Sequence, residues 1–295
     1  IGNIISFHIC SSQLKIKTLI SILLFFQACS NDQPIFDISN LNGDEITILG
    51  HRGMGKKHKY PGNSFEAVEA VLKIGADGSE IDVQITKDSV LIVFHDKELS
   101  KKTNCEGMIR DYDWSEIDSC FYDDPISQSI YLITAHDLFY RLPNIRNYYF
   151  SFDCKFYPNE SDMLIDYFRQ YIYALKQVVD SNNMHNKVLI ESGSIQFHRM
   201  LKESELPVLQ FITGHGIEAG IPIAKELNLY GIGSGSIVTG RDIDLAHEKG
   251  FRVMTWTPKT KRANIKAVQK NPDFIQTAKP IHMLKILGKY KSLQQ

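Results

Sequence analysis

The chain has 295 residues, 43% of them hydrophobic and 23% charged, with a formal net charge of -1 at pH 7. That balance belongs to globular chains, and the length is enough for one full α/β barrel. It carries none of the basic excess that a nucleic-acid partner requires, so that class is set aside.

At the N-terminus, Lys15 and Lys17 precede an apolar run over 18–26, followed by Gln27-Ala28-Cys29-Ser30-Asn31-Asp32. Charged, apolar and small-residue zones in that order form the pattern of a secretory signal, and the run is too short to span a bilayer as a helix. Ala28-Cys29 ahead of a polar tail resembles a bacterial lipoprotein cleavage site, with Phe26 where Leu is usual. The expectation is an exported protein, periplasmic or cell-surface. Residues 1–29 would be an upstream extension and signal, Cys29 the lipid anchor, 30–45 a tether, and 46–290 the folded domain. A plain signal peptide or a buried N-terminal helix is the alternative reading.

From there, strand patterns fall at 47–50, 79–85, 149–155, 188–191, 208–212, 230–233, 252–256 and 274–276. Helical patterns fall between them at 65–74, 162–180, 194–203, 218–227, 240–249, 261–270 and 281–287. The first helix opens after Asn63-Ser64 as a cap, ends at Gly75, and gathers Ala67, Val68, Val71 and Leu72 on one face. Strands alternating with helices predict a parallel (β/α)8 TIM barrel. A ninth extended run, 90–94, follows the strand at 79–85 after only four residues, too few for a parallel crossover. It must fold back as a hairpin and carry His95 over the barrel mouth, with 97–133 a loop or small cap above it. Within that cap Cys105 and Cys120 could close a disulfide in an exported protein, while Cys154 reads as packing.

Four short stretches carry the chemistry. One strand ends in His51-Arg52-Gly53, and the next carries Glu80 and Asp82 at i and i+2, which leave the same face. Phe94-His95-Asp96 closes the hairpin run, and Asp153 and Lys155 share a face of the strand at 149–155. Glu80, Asp82 and Asp153 offer three oxygen ligands to one divalent cation, and oxygen donors suit Mg²⁺ or Ca²⁺ better than Zn²⁺. An unperturbed imidazole has a pKa of about 6.5, so His51 and His95 could serve as acid or base near neutrality. Arg52 offers a planar fork to a phosphate and Lys155 a point charge. Taken singly, each feature has a plainer meaning: a histidine after a strand as a surface residue, a carboxylate pair as a solvated face, Lys155 as the ion-pair partner of Asp153. Together they fit metal-assisted phosphodiester chemistry.

In this order the residues resemble the glycerophosphodiester phosphodiesterase family, a (β/α)8-barrel group that is also similar to the spider sphingomyelinase D enzymes. The resemblance runs from Ile48 to about Leu287. It rests on His51 to Gly53, on Gly75-Ala76-Asp77-Gly78-Ser79-Glu80-Ile81-Asp82-Val83, on Thr86 to Asp88, on His95-Asp96, on Val253-Met254-Thr255-Trp256-Thr257 and on Asp273 to Thr277. It implies that His51 and His95 are the acid/base pair, that Glu80 and Asp82 bind metal, and that Trp256 walls the substrate pocket. The plainer reading of Trp256 is barrel packing. The implied reaction converts a small glycerophosphodiester to glycerol 3-phosphate and an alcohol.

Three positions depart from the family pattern. Pro61-Gly62-Asn63-Ser64 stands where Pro-Glu-Asn-Thr is usual, Asp153 where Glu is common, and Thr277-Ala278 where Thr-Asp is usual. The sphingomyelinase D relatives use Asp at the second of these. Two alternative functions follow: a cyclising lipid phosphodiesterase of the sphingomyelinase D type, and a lipoprotein that binds phosphodiesters without cleaving them.

Overall fold

The computed structural model describes residues 36–55, 59–123 and 129–292. The signal, the Cys29 anchor and the first part of the tether lie outside the described residues. Among the described residues, no helix is long and apolar enough to cross a membrane.

Eight parallel strands close into a barrel among the described residues. They are β1 (Thr47–His51), β2 (Gly78–Ile85), β4 (Tyr149–Cys154), β5 (Val188–Ser192), β6 (Leu209–Ile212), β7 (Gly231–Gly235), β8 (Arg252–Trp256) and β9 (Phe274–Thr277). β1 pairs in parallel with both β9 and β2, and this closes the ring. The remaining strand, β3 (Leu91–Val93), runs antiparallel to β2, with Val83 opposite Val93, as the short connection required.

Among the described residues, helices follow the strands, α2 within the 97–133 stretch and the others around the barrel: α1 (Phe65–Lys73), α2 (Trp114–Ile117), α3 (Ala135–Arg141), α4 (Leu164–Ser181), α5 (Ile195–Glu203), α6 (Ile217–Leu227), α7 (Gly240–Glu248), α8 (Lys261–Val268) and α9 (Pro280–Ile286). α1 starts where the cap pattern places it: the Ser64 hydroxyl accepts from the Ala67 amide at 3.1 Å, and Ala67, Val68, Val71 and Leu72 are buried. α3 has no counterpart among the helical patterns read from the sequence. It is seven residues long, opens on Thr134 accepting from the Asp137 amide, and lies in the crossover from the hairpin to β4.

The two faces of each strand do different work. On β2, Ile81, Val83 and Ile85 pack outward with α1 and α4 residues such as Val71 and Tyr171, while the alternate residues point into the barrel. Low in the interior, Leu49, Leu189, Phe211, Met254 and Phe274 form an apolar plug. Two residues further along several of these strands the lining turns polar, at His51, Glu191 and Gln276, so ionisable groups collect at the C-terminal mouth.

The described residues of 97–133 form a small cap whose apolar cluster includes Leu99, Ile109, Ile117, Tyr122 and Leu132, packed with Phe94. Cys105 and Cys120 are disulfide-bonded inside it, and Cys154 is free and buried. Arg110 ties the cap to the barrel, bonding Asp162 through two nitrogens at 2.9 Å, the Thr86 carbonyl at 2.8 Å and Gln170 at 2.8 Å. Of the stretch expected as a tether, residues 36–45 pack against the barrel. Phe36 and Ile38 join the core, the Leu41 amide donates to Asp273, and Arg252 donates to Asn42 at 2.8 Å.

Candidate active site

β1 and β2 are hydrogen-bonded neighbours with His51 in register with Glu80, and β2 and β4 are neighbours with Asp82 in register with Asp153. These two registers bring residues far apart in sequence to one end of the barrel. One carboxylate oxygen from each of Glu80, Asp82 and Asp153 lies within 4.8 Å of the others. Nε2 of His51 is 3.9 Å from Glu80 Oε2.

Two fixed cations share this end. Arg52 Nε lies 2.9 Å from Asp82 Oδ2, and Lys155 Nζ lies 3.2 Å from Asp82 Oδ1 and 2.5 Å from Asp153 Oδ2. Lys155 is therefore an ion-pair partner of Asp153, but it serves Asp82 as well. The backbone amide of Arg52 donates to Glu80 at 2.8 Å. Arg52 has a positive φ of 54°, which turns the chain sharply after β1 and leaves both its amide and its guanidinium facing the acids.

The acids differ in how well they are neutralised. Burial pushes Glu80 well above the ordinary glutamate value, and Asp82, Asp153 and Glu191 add to the shift while Arg52 opposes it only weakly. For Asp82, burial works in the same upward direction, but Lys155, Arg52 and His95 outweigh it and hold the carboxyl below its ordinary value. Asp153 is raised, by burial first and then by Asp82, against the pull of Lys155. Lys155 in turn is held protonated, since Asp82 and Asp153 overcome the effect of its burial. Arg52 and Lys155 thus leave Glu80 and Asp153 short of compensating positive charge. With three converging oxygens, it can hold a hard divalent cation.

His95 sits at the end of the hairpin, where the Phe94 amide donates to the Asp82 carbonyl at 3.0 Å. Its Nδ1 is 3.1 Å from Asp96 Oδ1. A carboxylate can only accept, so this contact puts the proton on Nδ1 and leaves Nε2 for exchange. Trp256 ends β8 half-buried and lies across β7. A Cβ added at Gly233 would meet its ring at 2.8 Å, so glycine on β7 makes room for the indole at the mouth.

Several site residues escape a reading of the sequence. Asn63 donates to Asp82 Oδ2 at 2.9 Å and accepts from the Asp82 amide at 3.2 Å. Gln84 donates to the carbonyls of Phe94 and Asp96, both at 2.9 Å, and so grips the chain on either side of His95. Glu191 is buried on β5, where it accepts from Ser151 at 2.5 Å and from Gln276. Burial, followed by Asp153, lifts its carboxyl to about 8. Strand parity is the one signal for Gln84, which falls two residues beyond Asp82. Glu191 can be placed only once β4 and β5 are known to be neighbours.

The departure at residue 62 has a local cause. A Cβ at Gly62 would come within 2.9 Å of Arg52 Cβ, so the arginine occupies the space and takes Asp82 as its carboxylate. At residue 278, the Ala278 backbone lies against Gly55, and nothing in the structure explains the alanine itself.

Residues 51–282 match the glycerophosphoryl diester phosphodiesterase family. A glycerophosphodiester phosphodiesterase of Bacillus altitudinis is 30% identical over 178 residues, 55% of this chain and 65% of the relative. The chain therefore spans just under two thirds of that relative's length. In fold it is similar to a phosphodiesterase of Oleispira antarctica solved with the product sn-glycerol-3-phosphate, with a TM-score of 0.69, 17% identity, and 82% and 96% of the two chains covered. It is also similar to a glycerophosphoryl diester phosphodiesterase of Parabacteroides distasonis, with a TM-score of 0.65, 22% identity, and 88% and 94% covered. With the family's match extending over most of the barrel, the chain belongs to the glycerophosphoryl diester phosphodiesterase family.

Proposed function

We propose that this protein hydrolyses small glycerophosphodiesters to glycerol 3-phosphate and an alcohol, using one divalent cation, Mg²⁺ or Ca²⁺, and a pair of histidines. The observation that carries the reading is the convergence of Glu80, Asp82 and Asp153, with their oxygens within 4.8 Å of one another, beside His51. Family membership supports it, as does the Oleispira antarctica neighbour that binds glycerol 3-phosphate.

Glu80, Asp82 and Asp153 would hold the cation, which when bound supplies a Lewis acid to a nonbridging phosphate oxygen. Arg52 and Lys155 would face the same phosphate and stabilise charge as it develops there. His51 and His95 would divide the proton transfers, one taking a proton from the attacking oxygen and the other giving one to the leaving oxygen. Asp96 orients His95 for its share through Nδ1. Trp256 would wall the pocket around the substrate.

The test is release of glycerol 3-phosphate from glycerophosphocholine and bis-glycerophosphate by the full chain. Activity should vanish in EDTA and return with Mg²⁺ or Ca²⁺. Phosphorus NMR of the products separates hydrolysis from cyclisation. No release from any glycerophosphodiester in either cation would reject the reading and favour a binding lipoprotein.

Export and anchoring at Cys29 belong to the same proposal. Support comes from the Ala28-Cys29 pattern and from the Cys105–Cys120 disulfide, a bond suited to an oxidising compartment. Cell fractionation of wild type and Cys29→Ala checks it: the variant should leave the membrane fraction, and unchanged membrane association would refute the anchor.

A further inference from the structure

Glu191 is a fourth carboxylate in the barrel, and the chemistry above gives it no task. It is in register with Asp153 on the adjacent strand and only 4% exposed. Adjacent strands run about 4.8 Å apart, so the two side chains enter the barrel as close neighbours. Burying a carboxylate beside other acids is costly unless a positive charge compensates it. Among the described residues Glu191 has no ion-pair partner of its own: Lys155 acts on it only from a distance and is itself paired with Asp82 and Asp153, and Arg52 is paired with Asp82.

The hydrogen bonds at Glu191 fix its place without neutralising it. Ser151 and Gln276, from β4 and β9, both donate to the same oxygen, Oε1. The group of acids close enough to ligate one cation comprises Glu80, Asp82 and Asp153 and leaves Glu191 out. Once all four carboxylates are ionised, set against two fixed cations, they leave two negative charges, the complement of one divalent ion.

We propose that Glu191 is an outer-sphere carboxylate of the cation site, whose charge beside Asp153 tightens the hold on the divalent ion without ligating it. The inference rests on the metal-dependent reading above. A hydrogen-bonding hub alone would be served equally well by glutamine, whose carbonyl accepts the same two bonds. The role therefore lies in the charge.

The experiment is a calorimetric titration of MgCl₂ or CaCl₂ into the cation-stripped full chain, in mildly alkaline buffer that favours ionised carboxylates. Glu191→Gln should bind about tenfold more weakly or worse, the range for partners just outside a metal's ligands. Ser151→Ala, which removes a hydrogen bond but keeps the charge, should stay within about threefold of wild type. Equal affinity in Glu191→Gln and wild type overturns the proposal. So does an equal loss in Ser151→Ala, since hydrogen bonding would then account for the effect. Should Glu191→Gln not fold, Glu191→Asp keeps the charge and must still bind within about threefold of wild type, a larger loss counting against the proposal. Failure of the wild type itself to bind either cation strikes the metal-dependent reading and is seen without any variant.

Discussion

Glu80 and Asp82 leave the same face of β2 two residues apart, yet their surroundings move them in opposite directions. Burial and neighbouring acids drive Glu80 up, whereas Lys155 and Arg52 reverse the effect of burial on Asp82 and hold it down. The positive charge at the mouth is concentrated on one carboxylate of the pair, and the other retains the need for a cation.

This asymmetry sets how stability depends on pH when cations are absent. Glu191, lifted to about 8 by burial and Asp153, keeps in the folded state a proton that the unfolded chain has lost, and Glu80 behaves in the same sense. Their contribution is fully present below the ordinary glutamate value of about 4.3 and is lost as pH rises through the folded values. Asp82, depressed, contributes above its ordinary value and loses that contribution as pH falls through its folded value. In EDTA the melting temperature should therefore fall as pH rises from about 5 to about 8, by roughly 5–10 °C. A divalent cation should restore most of the loss, and Glu191→Gln should flatten the slope. A melting temperature that does not change over this window, with or without cation, would contradict the charge balance described for the site.

Gln84 spans the carbonyls of Phe94 and Asp96, so it sets where the hairpin presents His95. Gln84→Leu leaves two carbonyls without their donor and frees that segment. We expect kcat to drop by about tenfold to a hundredfold, the cost of misplacing a reacting group by around an ångström. Cation affinity should stay unchanged, because Glu80, Asp82 and Asp153 lie outside the hairpin turn. Steady-state kinetics beside a cation titration reads both, and a loss of cation binding with kcat intact would assign Gln84 to the wrong side of the site.

The cap depends on its disulfide. Cys105 and Cys120 close a loop with a separation of 15 residues. Replacing both with Ser should cost about 2–3 kcal/mol in urea unfolding, the range for loops of this length. Equal stability of the double variant and wild type would show that the cluster around Leu99, Ile109 and Tyr122 holds the cap unaided.

Much of this was legible in the sequence because the signals were local. His51-Arg52-Gly53, Glu80 with Asp82, and Asp153 with Lys155 each sit on one strand, where period-two geometry fixes which side chains share a face. The four-residue link after β2 excluded a parallel crossover, and β3 is antiparallel. What escaped depends on neighbours that only folding supplies. Glu191 stands alone in an apolar strand and becomes part of the site through its register with Asp153. Arg110 reads as one charge in an acidic loop, and its anchoring role needs Asp162, 52 residues away. α3 leaves no clear signature in the sequence, because seven residues are too few to establish a helical period and its cap, Thr134, follows directly on an irregular segment.

In the proposed reaction, two imidazoles at one barrel mouth divide the proton transfers around an acid-held cation. Its most direct test is the rate of glycerol 3-phosphate release from glycerophosphocholine by His51→Ala and His95→Ala, at saturating Mg²⁺ or Ca²⁺. Each variant should lose about 10² to 10⁴ in kcat while binding the cation as wild type does. Turnover within about threefold of wild type in either variant would contradict the claim.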